Sequence, residues 1–146
     1  MLNRMLILLS IIPLINAVGI VNRRVVYHLN VSYDANSSSI VLINNQMPGP
    51  LIEAQLNDIL VIHVTNYLPA SERLAIHFHG MLVRETPHMD GVPYITQMPI
   101  ESQRTFTYVF RAYPAGTYFY HSHAGLQSVT AFGALIVHDR RKPWMI

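Results

Sequence analysis

The chain has 146 residues, 51% hydrophobic and only 12% charged, with a formal net charge of +2 and no cysteine. That length suits one domain, and so weak a charge balance argues against nucleic acid as a partner; Arg140-Arg141-Lys142, the one basic cluster, reads as a solvated segment. Without cysteine there is no disulfide framework, so a hydrophobic core must supply the stability, and a blue-copper electron-transfer centre, which needs a thiolate between two histidines, cannot be built from these residues.

In chain order, Arg4 precedes an apolar run over residues 6–15 and then the small residues Ala17 and Gly19. This is the layout of a secretory signal peptide over residues 1–19, cleaved near 17–19, and the run is shorter than the about 20 residues of a bilayer span. A signal anchor over residues 5–21 is the alternative, opposed by Ser10, Asn16 and Pro13. The expected mature chain is secreted, extracellular and, without Arg4, close to neutral.

The body reads as β throughout. Val25, Tyr27, Leu29 and Val31 alternate with His28 and Asn30, residues 40–43 and 59–65 are apolar and β-branched, and Phe106, Tyr108 and Phe110 share a face. Residues 117–120 and 132–137 complete the strand set. Turn signals stand between them at Asn36-Ser37-Ser38, Asn44-Asn45, Pro48-Gly49-Pro50, Asn57-Asp58, Pro69-Ala70-Ser71 and Tyr113-Pro114-Ala115-Gly116. Short strands at such spacing, with no long amphipathic helix, predict an all-β sandwich or barrel. Asn30-Val31-Ser32 and Asn36-Ser37-Ser38 are glycosylation sequons, the first on a strand pattern.

Two stretches carry the chemistry, His77-Phe78-His79 and His121-Ser122-His123, each at the end of an apolar β-rich run. Residues two apart in a strand point to the same face, roughly 6–7 Å apart, so each pair offers two imidazoles side by side. One pair would mean little, since a buried histidine is usually a satisfied structural group. If the two strands are neighbours, four imidazoles converge on one pocket, as a metal site requires. Spacing alone leaves open whether a pair chelates one ion, as in a mononuclear zinc site, or divides between two. His28, His63 and His138 have no partner at ligand spacing and read as structural or surface residues.

Around these pairs the sequence becomes more specific. His77-Phe78-His79-Gly80-Met81, Met89-Asp90-Gly91-Val92-Pro93-Tyr94-Ile95-Thr96-Gln97-Met98-Pro99-Ile100, Ala115-Gly116-Thr117-Tyr118-Phe119-Tyr120-His121-Ser122-His123 and Gly133-Ala134-Leu135-Ile136-Val137 follow in order. Together they resemble the N-terminal cupredoxin (plastocyanin-like) domain of a multicopper oxidase, most of all the laccase-like branch and especially that of animals. Asn44-Asn45-Gln46-Met47-Pro48-Gly49-Pro50 and Asn57-Asp58 fit the same domain.

The resemblance implies a cupredoxin-like Greek-key fold over residues 20–139, with 140–146 as the start of an interdomain linker. It implies copper, with His77 a ligand of the type-2 ion and His79, His121 and His123 serving the type-3 pair, half of a trinuclear cluster. Asp90 matches an acidic residue near the cluster, a candidate to hold bound water and relay protons while dioxygen is reduced to water at the expense of a phenol-like donor; the bland reading of Asp90-Gly91 is an ordinary turn. Phe78 and His88 stand where relatives commonly carry tryptophan, and Met98 where many carry cysteine. Phe78 keeps the aromatic packing, and His88 reads as a solvated loop residue. The type-1 site and the rest of the cluster belong to C-terminal cupredoxin domains in such enzymes, so the expectation is a truncated or partner-requiring chain that is inactive alone. A stand-alone copper carrier and a mononuclear zinc enzyme are the alternatives.

Overall fold

The computed structural model describes residues 22–141. The signal-peptide expectation and residues 142–146 of the linker lie outside them. Eight strands follow in chain order: β1 (Arg24–Asp34), β2 (Ser37–Ile43), β3 (Gly49–Gln55), β4 (Ile59–Asn66), β5 (Ile76–Phe78), β6 (Thr105–Arg111), β7 (Gly116–Ser122) and β8 (Phe132–His138). They form two four-stranded sheets, ordered β2-β1-β4-β6 and β3-β8-β7-β5. Within them β1 runs parallel to β4 and β3 parallel to β8. Apart from β1–β2 and β7–β8, which pair as neighbours, consecutive strands alternate between the two sheets, the Greek-key winding of an all-β sandwich. Among the described residues no helix is long and apolar enough to cross a membrane.

Period-two patterning decides which face of each strand is dry. On the first sheet Leu29, Val31, Leu60, Ile62, Val64, Tyr108 and Phe110 are buried, while Val26, His28 and Asn30 are exposed. On the second, Ile52, Ala54, Ile76, Phe78, Tyr120, Leu135 and Val137 fill the same core. Each fully buried aliphatic or aromatic side chain contributes about 1.5–3 kcal/mol. Asn36 sits exposed in the tight turn between β1 and β2.

One expectation changes. Of Pro48-Gly49-Pro50, read as a turn, Pro48 lies in a bend and Gly49-Pro50 open strand β3. Proline fits there because β3 is an edge strand with β8 as its one sheet partner, and the register shifts between Gly49 and Ile52, the positions where a sheet tolerates a missing N–H. At Asn57-Asp58 the expected turn is present. Asp58 accepts hydrogen bonds from the Gln55 N–H at 2.8 Å and the Arg23 guanidinium at 2.7 Å. Burial alone would raise its pKa, but these donors hold it below the usual carboxylate value.

Two tyrosines support the strands that carry the histidine pairs. Tyr108 crosses from the first sheet, and its hydroxyl accepts the Ile76 N–H at 3.0 Å, beside His77. The Tyr120 hydroxyl donates to the Pro50 carbonyl at 2.7 Å. Phe78 packs between them, with ring centroids 5.2 Å from Tyr108 and 6.1 Å from Tyr120. The strand carrying the first histidine pair therefore rests on a rigid aromatic layer.

Candidate metal centre

β5 pairs antiparallel with β7, and His77 stands directly opposite His121. Pairing continues past both strands: the His79 N–H donates to the Phe119 carbonyl at 3.0 Å, and the His123 N–H to the Ala75 carbonyl at 2.8 Å. With Ile76, Phe78, Tyr120 and Ser122 in the core, alternation sends His77, His79, Phe119, His121 and His123 to the outer face. The four imidazoles thus come together, with centroids 4.6 Å apart for His77–His79, 4.9 Å for His79–His121, and 5.8 Å from His77 to both His121 and His123.

The rings are held by main-chain acceptors. His77 Nδ1 lies 2.6 Å from the Asp90 carbonyl, and His121 Nδ1 lies 2.7 Å from the Ser122 carbonyl. A carbonyl only accepts, so each Nδ1 carries the proton and each Nε2 keeps its lone pair for a ligand. His79 Nε2 and His121 Nε2 face one another at 2.9 Å; since the His121 atom is the acceptor, His79 donates. Burial, reinforced by the charges of the neighbouring histidines, lowers the pKa of His79. Burial does the same at His121, against the opposing pull of the Ser122 carbonyl. Both are therefore neutral imidazoles at neutral pH, the form that binds metals.

Asp90 reaches the site through its backbone. Gly91, at φ +82°, is so close to β5 that a Cβ there would collide with the Ile76 carbonyl and lie 2.9 Å from the His77 Cα. Only a glycine allows that approach, and it is what brings the Asp90 carbonyl to His77. The Asp90 carboxylate stands farther off, 3.6 Å from His77 Nδ1, and is one-third exposed. His88 and Met98 are exposed, His88 on a single 3₁₀ turn at Pro87–Met89.

Several residues were not singled out by sequence reasoning. Phe119 stacks on His79 at 4.2 Å with rings 14° from parallel, and on His121 at 5.4 Å; its place two residues before His121 was the available signal. Ser122, fully buried between two outward histidines, donates to Gln127 Oε1 at 2.8 Å, and Gln127 Nε2 donates to Glu72 and to the Arg73 carbonyl. A serine forced inward by alternation needs such a partner. His28 and His63, expected to be without partners, lie opposite one another in the parallel β1–β4 ladder, with rings stacked at 4.8 Å. The register supplied what sequence spacing could not show.

As a metal site the cluster is partial. Among the described residues no group of three or more His, Asp or Glu side chains is arranged to hold one ion. With the His79 proton moved to Nδ1, the His79–His121 pair matches a ligand span: two nitrogens bound at about 2.0–2.1 Å and near a right angle to each other lie about 2.9 Å apart. An all-imidazole donor set suits copper or zinc.

Fold and site together define a class: an all-β sandwich presenting an imidazole cluster on the open face of an edge strand pair. The family model described as multicopper oxidase matches residues 25–142, and the chain belongs to that family. It is 48% identical over 105 residues to a laccase of Emericella nidulans, matching 71% of this chain and 17% of the relative. It is 46% identical over 107 residues to an L-ascorbate oxidase of Cucumis sativus, matching 73% and 18%. The crystal structure of Fet3p, a multicopper oxidase that functions in iron import, superposes with a TM-score of 0.75 at 32% identity, over 83% of this chain and 24% of that one. The chain thus spans under one-fifth of the length of the laccase and the ascorbate oxidase.

Proposed function

We propose that the chain is the copper-binding N-terminal domain of a secreted, laccase-like multicopper oxidase and supplies half the ligands of a trinuclear copper cluster. His77 is assigned to the type-2 ion, and His79, His121 and His123 to the type-3 pair. The observation that carries this reading is the cross-strand approach of His79 Nε2 to His121 Nε2 at 2.9 Å. It couples one histidine from each pair, which favours pairs divided between ions over each pair chelating its own. When bound, copper in such a cluster supplies the electrons, received one at a time from a phenol-like donor, that reduce dioxygen to water.

The chain's own residues contribute orientation and neutrality. The Asp90 and Ser122 carbonyls fix the tautomers of His77 and His121, and Phe119 limits how far the His79 ring can turn. The role of holding and passing a proton is assigned to the Asp90 carboxylate, supported by its partial exposure and its 3.6 Å distance from His77 Nδ1. Phe119 and Val129, 47% and 70% exposed, form an apolar rim beside His121, suited to docking the cupredoxin domain that would supply the other ligands. The mononuclear zinc reading needs three donors around one ion and draws no support from this arrangement.

The chain has no cysteine, hence no type-1 copper site of its own for electron entry. Purified and loaded with copper, it is expected to consume no oxygen in the presence of a diphenol. Sustained diphenol-dependent oxygen uptake would contradict the proposal.

A further inference from the structure

On the other side of the sandwich the β1–β4–β6 register builds a second imidazole pair. His28 is opposite His63, which in turn is opposite Thr107. All three lie on the outer face, since Leu29, Ile62, Val64 and Tyr108 beside them are buried. His28 is exposed and His63 and Thr107 half-buried, so solvent and ions reach both rings. We propose that His28 and His63 form an accessory site for a divalent transition-metal ion, with Cu(II) the favoured occupant by the general affinity order for nitrogen ligands.

Four observations support the site. The ring centroids are 4.8 Å apart with planes 26° from parallel. Two nitrogens on one ion at about 2.0–2.1 Å lie roughly 3–4 Å apart, so a small tilt of exposed rings converts the stack into a chelate. His63 is already oriented, because its Nδ1 is hydrogen-bonded to Thr107 Oγ1 at 2.8 Å. An ion at Nε2 selects the tautomer in which Nδ1–H donates to that hydroxyl, the outer support that metal-bound histidines commonly have.

The backbone of His28 is equally held. Asn44 donates through Nδ2 to the His28 carbonyl at 2.9 Å and accepts the Asn30 N–H at 2.6 Å. Finally, the flanking rows on this face are uncharged. Val26, Val61 and Val109 stand on one side and Asn30, Thr65 and Thr105 on the other, so no cationic side chain in those rows repels an incoming ion. The site does not depend on the oxidase reading, because the first cluster lies on the outer face of the opposite sheet, a full sandwich thickness away.

The test is a Zn(II) titration of the full chain, followed by NMR of the histidine ring signals, with the exposed His88 as an internal solitary imidazole. The expected result is that His28 and His63 respond together, at Zn(II) concentrations on the order of tenfold or more below those that move His88. His28→Gln raises the concentration needed to move His63 by a similar factor, and His63→Gln does the same for His28. Either of two results overturns the proposal: His63 responding alike in wild type and His28→Gln, or both rings responding only where His88 does. Loss of copper from the first cluster leaves this outcome unchanged, so the two readings fail separately.

Discussion

His79 Nε2 stands 2.9 Å from His121 Nε2, although the two residues sit on different strands and belong to different His-x-His motifs. Within one strand, alternate residues are roughly 6–7 Å apart, whereas hydrogen-bonded neighbours are about 4.8 Å apart. The ring centroids of His77 and His79, within one motif, are 4.6 Å apart, yet the direct nitrogen-to-nitrogen contact is the one made across the ladder. Under the proposed assignment, each His-x-His motif is therefore divided between ions and does not chelate one.

The contact of Gly91 with β5 sets the position of His77. Gly91→Ala places a Cβ against the Ile76 carbonyl and requires φ +82° of a residue that resists it. The expected cost is at least about 2 kcal/mol in urea unfolding, with a further loss of copper uptake as the Asp90 carbonyl leaves His77 Nδ1. Unchanged stability would show that the loop does not depend on that approach.

Beneath the second pair, Ser122→Ala removes the donor to Gln127 Oε1. A buried acceptor left unpaired costs about 1–3 kcal/mol, and denaturant midpoints of wild type and variant measure it. Because Ser122 lies between His121 and His123, the variant also loosens both rings, visible as weaker copper retention. A midpoint within error of wild type would remove the Ser122–Gln127 bond from the account.

Alkaline pH tests the aromatic layer. Burial raises the Tyr108 hydroxyl from 10.0 to about 12, against the opposing effect of the Ile76 N–H, and raises Tyr120 as well. The unfolded chain releases these protons near pH 10 while the folded chain retains them. Their contribution to stability is thus complete below about pH 10 and is lost as pH rises toward 12. Of the eight tyrosines, these two are expected to stay silent in ultraviolet titration until the chain unfolds. Titration of all eight near pH 10 with native circular dichroism would contradict the packing.

Much of this was legible in the sequence because period two is a strong code. The alternation of Leu29 and Val31, of Phe106, Tyr108 and Phe110, and of the histidines with Phe78, Tyr120 and Ser122 between them, gave the strands, the core and the site face. The start of strand β3 was hidden because Pro50 reads as a turn residue, and only the strand's edge position makes it acceptable. Asp90 was legible as a neighbour of the site, but the short contact is its backbone carbonyl, which side-chain chemistry does not announce. The His28–His63 pair depended on strand register and the anchoring of Gln127 on its contacts with Glu72 and Arg73, long-range relations that local pattern does not encode.

The central claim is most directly tested by copper stoichiometry and affinity in the full chain, measured in a His28→Gln background so that the outer-face pair does not contribute. If both rings serve one ion, as proposed, His79→Ala and His121→Ala each lower copper binding, and the double variant loses little more than either single one. Copper binding unchanged in both single variants would contradict the claim.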